Sequence, residues 1–438
     1  MGSMDLTGNW AGYLALAVFI VAYALVVTEE FTHLRKSKPV VLAAGLIWAI
    51  IGVRYHGAGQ HAALDLAIRE YLVEFAQLFL FLLSAMTYVN SLSERRVFET
   101  LRYKLVSKGL SALSLFWITG IISFFLSALI DNLTTALVMS GVVLAVGKGN
   151  PRFIAVNFVN IVVAANAGGA FSPFGDITTL MVWQSGQLHV TEILTLLLPS
   201  MVNYLVPAVF MSLAVKGVTL QSESESVKMR PGAKWVMALL GFTITLSVSF
   251  HHFIGLPPFL GMMTGLACLQ IYGYFLRRKE QAYLRNNSGH MAGDVMPYDS
   301  FREVARVQWD TLLFFFGVIM SVGGLAFIGY LGHVSGFLYD ELGPTTANIL
   351  VGVISAVIDN IPVMVAVLNM EPDMDVAQWL LVTLAAGTGG SLLSVGSAAG
   401  VALMGQARDD YSFFSHLKWS PVIALGYGLS IWLHLWIN

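Results

Sequence analysis

Apolar residues run through this chain in long blocks. They do not form the stripe of an amphipathic surface helix or the alternation of a half-buried strand. The blocks fall at roughly 10–28, 39–54, 70–92, 109–147, 152–184, 191–215, 235–252, 258–276, 309–331, 345–370, 376–405 and 417–437. Blocks of this length predict transmembrane α-helices, whereas a membrane β-barrel would show short alternating segments. Four blocks are not simple spans. Block 109–147 holds 39 residues. As one helix it would reach about 58 Å against a hydrocarbon core of about 30 Å, so it must turn back on itself. Blocks 152–184 and 376–405 are interrupted by NAGGAFSPFGD (166–176) and GTGGSLLSVGS (387–397), where glycine and proline predict unwound backbone within a helix. Block 345–370 is interrupted by Asp359-Asn360, with Pro362 just beyond.

The interruptions repeat. SALIDNL (127–133) and SAVIDNI (355–361) share five of seven residues and stand 228 positions apart. GGAFSPFGD (168–176) aligns without a gap to GGSLLSVGS (389–397), and FAQLFLFLLSAM (75–86) aligns loosely to WDTLLFFFGVIM (309–320). The expected organisation is N-terminal scaffold helices over 10–69 and a first repeat over 70–215, with hairpin 109–147 and broken helix 152–184. A linker with two helices follows over 216–308, then a second repeat over 309–438, with hairpin 345–370 and broken helix 376–405.

Composition fits the membrane: 56% of residues are hydrophobic and 11% charged, against about 25% charged in soluble domains. With both hairpins re-entrant and both termini outside, loops 29–38, 93–108, 148–152, 216–234, 277–308 and 406–418 face the cytoplasm. They hold 22 of the 24 lysines and arginines, all but Arg54 and Arg69. The first hairpin then opens from the cytoplasm and the second from outside, so the repeats are inverted, an arrangement that places a substrate site at the midplane. The expected fold class is an all-α polytopic membrane protein of inverted-topology repeats, each with a re-entrant helical hairpin and a broken transmembrane helix. The single cysteine, Cys268, excludes an intramolecular disulfide. No cofactor, nucleic-acid partner or enzymatic activity is expected.

A charged Asp at the bilayer centre costs about 2.5–3.5 kcal/mol on insertion scales. This chain places Asp131, Asp176 and Asp359 there, with no Lys or Arg in the same segments. Their charge is therefore expected to be balanced by a proton or a bound cation. Burial favours the neutral form of a carboxyl and a neighbouring cation favours the anion, so one carboxylate holds either in competition. Hard cations take oxygen ligands. Asn132, Asn166, Thr178, Thr179 and Asn360 supply side-chain oxygens, as do Ser127 and Ser355, each four residues before its Asp. Ser394 and Ser397, with Ser391, are expected to face the first broken helix, and Asp310 opens a span. Direct Na+ or Li+ ligands are expected among Asp131, Asn132, Asp176, Asp359 and Asn360. An anion carrier for arsenite or a di- or tricarboxylate is the alternative on the same scaffold, although carboxylates at both tips would repel an anion. An intramembrane aspartyl protease is disfavoured, since FGD (174–176) lacks the expected Gly-x-Gly-Asp.

The paired DN motifs, NAGGAFSPFGDITT and GTGGSLLSVGS resemble the NhaD-type sodium/proton antiporters of the ion transporter superfamily, over nearly the whole chain from about residue 10. The resemblance implies a homodimer, hairpins entering from opposite sides, and alternating access of a transport domain against a scaffold. It also implies Na+ or Li+ efflux against H+ uptake across a bacterial inner membrane at alkaline pH. Asp131, Asn132, Asn166, Asp176, Thr178, Thr179, Asp310, Ser355, Asp359, Asn360, Ser394 and Ser397 would be the functional positions.

Overall fold

The computed structural model describes residues 4–218, 226–286 and 297–438, and these are built from helices. In chain order the principal ones are α1 (Trp10–Val27), α2 (Ser37–Gly57), α3 (His61–Glu94), α4 (Ala112–Ser127), α5 (Asn132–Val146), α6 (Pro151–Ala170), α7 (Ile177–Gln184) and α8 (Leu197–Ala214). There follow α9 (Ala233–Ile254), α10 (Pro258–Asn286), α11 (Trp309–Phe327), α12 (Pro344–Ile358), α13 (Asn360–Met370), α14 (Val376–Gly389), α15 (Ala398–Gln406) and α16 (Ser420–Ile437). Among the described residues nine helices are long and apolar enough to cross a membrane. The chain is an all-α polytopic membrane protein.

Block 109–147 is the pair α4 and α5, joined over residues 128–131, and block 345–370 is the pair α12 and α13, which meet at Asp359. With 16 residues in α4 and 15 in each of α5 and α12, these arms rise about 22–24 Å, short of a core about 30 Å thick. Block 152–184 stops and restarts between α6 and α7, and block 376–405 between α14 and α15. One sequence of elements therefore occurs twice, α3 to α8 and α11 to α16: long helix, helix pair, interrupted helix, long helix. α3 starts at His61 and continues through residues 69–70. Asp65 and Arg69 lower the hydropathy there without breaking the helix, and they pair one turn apart at 2.8 Å.

The chain forms two compact units. One comprises the described residues of 1–75, 104–224 and 313–438, the other those of 76–103 and 225–312. In the first, α1 and α2 share a core with α11 through Ala15, Ala43, Ile47, Trp48, Met320 and Leu325. The Trp48 indole donates to the Met320 carbonyl at 2.8 Å. α6 lies at the centre of this unit, 94% buried along its apolar window. That enclosure lets an apolar helix carry Asn157 and Asn160, whose amides donate to the carbonyls of Phe153 and Phe116 at 2.8 and 3.0 Å. α4, α5, α8 and α14 pack against it.

In the second unit α9 and α10 pack together beside the C-terminal half of α3. The Tyr88 hydroxyl meets Thr243 Oγ1 at 2.8 Å and donates to the Gly265 carbonyl at 2.7 Å. Below them the buried Arg95 guanidinium pairs with Glu94 and with Glu280, and Arg230 also binds Glu94. Each charge in this knot has an opposite partner, as burial requires.

Candidate functional site

Each helix pair is bonded to an interrupted helix in the same way. Ser127, at the end of α4, donates to the Ala165 carbonyl of α6 at 2.6 Å, and Ser355, near the end of α12, donates to the Ala386 carbonyl of α14 at 3.1 Å. A Cβ at Gly168 would stand 1.9 Å from the Phe124 carbonyl oxygen, and one at Gly389 would stand 2.0 Å from that of Gly352. Only glycine admits this approach, so the GG dipeptides of the two motifs are packing devices that draw each tip onto a break. Ser127 and Ser355 use their hydroxyls on backbone carbonyls and act as anchors of the tips.

The two Asp-Asn tips then diverge. Asp131 has an ordinary N-cap conformation (φ −55°, ψ 156°), and its carboxylate accepts from the Thr134 amide and hydroxyl at 2.8 and 2.7 Å. Asp359 has φ 81° and ψ 142° and makes no cap hydrogen bond. That region is nearly confined to glycine and costs of order 1–3 kcal/mol. Asp359 is 9% exposed, and its Oδ1 is buried with no hydrogen-bond partner.

The breaks supply the facing groups. Asp176 caps α7 through the Thr178 amide and hydroxyl, both at 3.0 Å, and Ser397 caps α15 through the Gly400 amide at 3.3 Å. These two caps are the aligned positions of the motifs. Across the halves, the Asn360 amide donates to Asp176 Oδ1 and Oδ2 at 3.4 and 3.2 Å. The Asn132 amide donates to Asn166 Oδ1 at 3.1 Å, and the Asn166 amide donates to Ser391 Oγ at 2.9 Å. The second tip thus reaches the first break directly, through Asn360 and Asp176, and the first tip is linked to the second break through Asn166 and Ser391, with Asp359 beside Asn360 in sequence. Thr179 is occupied by the Ala170 carbonyl at 3.2 Å, while the buried Ser394 hydroxyl has no partner. Asp310 lies in the first turn of α11, in the other unit.

One expectation is corrected. The charge of Asp359 is balanced from another segment rather than only by a proton or a bound cation: Lys36, at the N-terminus of α2, places its ammonium 3.0 Å from Asp359 Oδ2. Hydropathy cannot distinguish Lys36 from Arg35 and Lys38, which flank it in the same basic loop. Sequence reasoning also missed His416, in the short helix Phe413–Leu417. Its Nε2–H donates to the Ser391 carbonyl at 2.8 Å and its Nδ1 accepts from the Tyr411 hydroxyl at 2.7 Å, the tautomer being fixed because a carbonyl only accepts. Burial pushes this imidazole down to about 4, so it is neutral.

A family model described as "Citrate transporter" matches residues 10–387. The Na(+)/H(+) antiporter NhaD of Vibrio cholerae serotype O1 is 54% identical across 100% of this chain and 94% of that protein. That of Alkalimonas amylolytica is 54% identical across 99% and 92%. Sodium/proton antiporter 1 of Arabidopsis thaliana is 32% identical across 100% and 75%. The relatives at 54% identity carry the antiporter name and not the citrate-transporter one. At this identity over nearly the whole of both chains, the chain belongs to the NhaD-type antiporters, a family of transporters.

Proposed function

We propose that the chain exchanges cytoplasmic Na+ or Li+ for external H+ by alternating access across a bacterial inner membrane. The observation that carries this reading is the crossing of Asn360 onto Asp176, beside an Asp359 whose Oδ1 lacks any hydrogen-bond donor. The cluster is oxygen-rich and anionic, which suits a hard monovalent cation and opposes an anion. When the cation leaves, a proton neutralises the carboxylate, since an uncompensated charge at that depth is expensive. Cation and proton therefore exclude one another at the same oxygens, and that exclusion couples their fluxes.

In this reading Asp176, Asp359 and Asn360, with Asn132 and Asn166, hold the cargo, and Thr178 orients Asp176. Asp131 contributes its charge from the cap of α5. Ser394 and Ser397 line the second break, and Asp310 serves the proton path rather than the ion cluster. The hairpins enter from opposite faces and the repeats are inverted. Both termini are periplasmic, and two copies pair through scaffold helices. The names of the antiporter relatives support the exchange, and the concentration of 22 of the 24 lysines and arginines in the loops assigned to the cytoplasm supports the orientation.

The test is proton movement in everted vesicles on addition of Na+, Li+, K+ or citrate at alkaline pH. Dissipation of the pH gradient by Na+ or Li+ supports the reading. Citrate uptake with no cation response would replace it with the anion carrier.

A further inference from the structure

Lys36 is placed where ordinary roles for a lysine fail. It stands at the N-cap of α2, where the helix dipole disfavours a cation. Its ammonium does not reach out to solvent: the side chain is 20% exposed and turns toward Asp359, itself 12% exposed, at 3.0 Å. The same ammonium lies 4.3 Å from the centroid of the Phe314 ring, a face that also favours a cation. The carboxylate it meets is the one in the cluster that caps no helix and keeps an oxygen free.

We infer that Lys36 is the resident counter-cation of Asp359, a tethered competitor that the cargo ion must displace before Asp359 becomes a ligand. The inference rests on the cation-exchange reading above and deepens it by naming a second competitor, beside the proton, for Asp359 between cargo ions. An ammonium and a sodium ion carry the same charge, and an unprotonated carboxylate at this depth needs one of them. Displacement exchanges one ion pair for another and leaves no buried charge uncompensated. The tether makes the return of the ammonium intramolecular, so it speeds cargo release at the cost of affinity. Glu29 gives the displaced group a destination. Its Oε1 accepts from the Lys36 backbone amide at 3.4 Å, and it borders a cleft of about 480 Å³ shared with His33, Arg408 and Tyr411.

The experiment is Na+ binding by the purified protein at fixed alkaline pH, read as the Na+-dependent rise in thermal midpoint, together with the Na+ dependence of exchange in proteoliposomes. Lys36→Gln is expected to lower the midpoint in Na+-free buffer and to recover it on adding Na+. Its apparent Na+ Kd should tighten by roughly tenfold, the scale of one charge-assisted contact. In transport, KM and kcat should both fall, and Asp359→Asn should abolish the effect of Lys36→Gln. If Lys36→Gln does not fold, Lys36→Arg replaces it. Its planar fork holds the carboxylate at two points and should weaken Na+ binding several-fold. An unchanged Na+ Kd in the variant, with normal binding by the wild type, overturns the inference and leaves Lys36 a structural partner. Absence of Na+ binding by the wild type overturns the exchange reading instead.

Discussion

The Asn360 amide donates to both carboxylate oxygens of Asp176, at 3.4 and 3.2 Å, although the two residues belong to different halves of the chain. The second tip reaches the break of the first half. The bond joins the start of α13 to the cap of α7, so a group bound here touches both halves of the chain. A movement that separates α13 from α7 would open the site and break this bond.

Asp176→Ser should separate capping from ligation. Serine caps helices as well as aspartate does, and Ser397 already caps α15 at the aligned position. The variant should keep its thermal midpoint to within about 1 kcal/mol of stability. It should raise the Na+ KM by tenfold or more, the scale of one lost contact to a charged group. Unchanged Na+ dependence in proteoliposomes would reduce Asp176 to a cap.

Asp131 offers the complementary case. Asp131→Asn keeps an acceptor for the Thr134 amide, and Asp131→Ala removes it, at a cost of about 1 kcal/mol. Both should lose exchange, but only the alanine variant should melt earlier. Wild-type exchange by Asp131→Asn would show that its carboxylate serves α5 alone.

The glycine contacts make a sharper structural prediction. In Gly168→Ala and Gly389→Ala the new methyl groups would lie 1.9 and 2.0 Å from backbone oxygens of Phe124 and Gly352. Backbone must move, at about 1–3 kcal/mol or more, and both variants should lose stability and transport together. Gly428→Ala, with nothing within 4 Å of the added methyl, is the control. It should melt no earlier than the wild type, because alanine is the better helix former.

His416 sets a pH limit on stability. The unfolded chain protonates this imidazole near 6.5 and the folded protein only near about 4, so the unfolded state binds more protons between those values. Stability should therefore fall as pH drops through that window, by at most about 3 kcal/mol, and this group should add no slope above it. His416→Gln should flatten the decline in a series of melts across the window. An unaltered slope would assign the acid sensitivity to other groups.

Much of this architecture is legible in the sequence because its devices are chemically loud. A 39-residue apolar block cannot be one span, and two DN pairs in apolar text cannot be chance surface polarity. GG before each break marks close backbone approach, and the contacts of Gly168 and Gly389 are the reason. What was not legible is which polar groups are already occupied. Ser127, Ser355 and Thr179 read as oxygen ligands, and the sequence does not show that their hydroxyl hydrogens are committed to the carbonyls of Ala165, Ala386 and Ala170. The difference between Asp131 and Asp359 is equally hidden, because it lies in backbone φ: −55° at one and 81° at the other. Lys36 could not be found by pattern, since its partner is 323 residues away and Arg35 and Lys38 stand beside it in the same loop.

The central claim is that Asp359 binds cation and proton in turn. Its most direct test is the lumenal pH of proteoliposomes under an imposed Na+ gradient, for the wild type and for Asp359→Asn with an unchanged melting profile. The account predicts proton movement opposite to Na+ in the wild type and none in the variant. Equal proton movement in both, or Na+ flux without proton movement in the wild type, would contradict it.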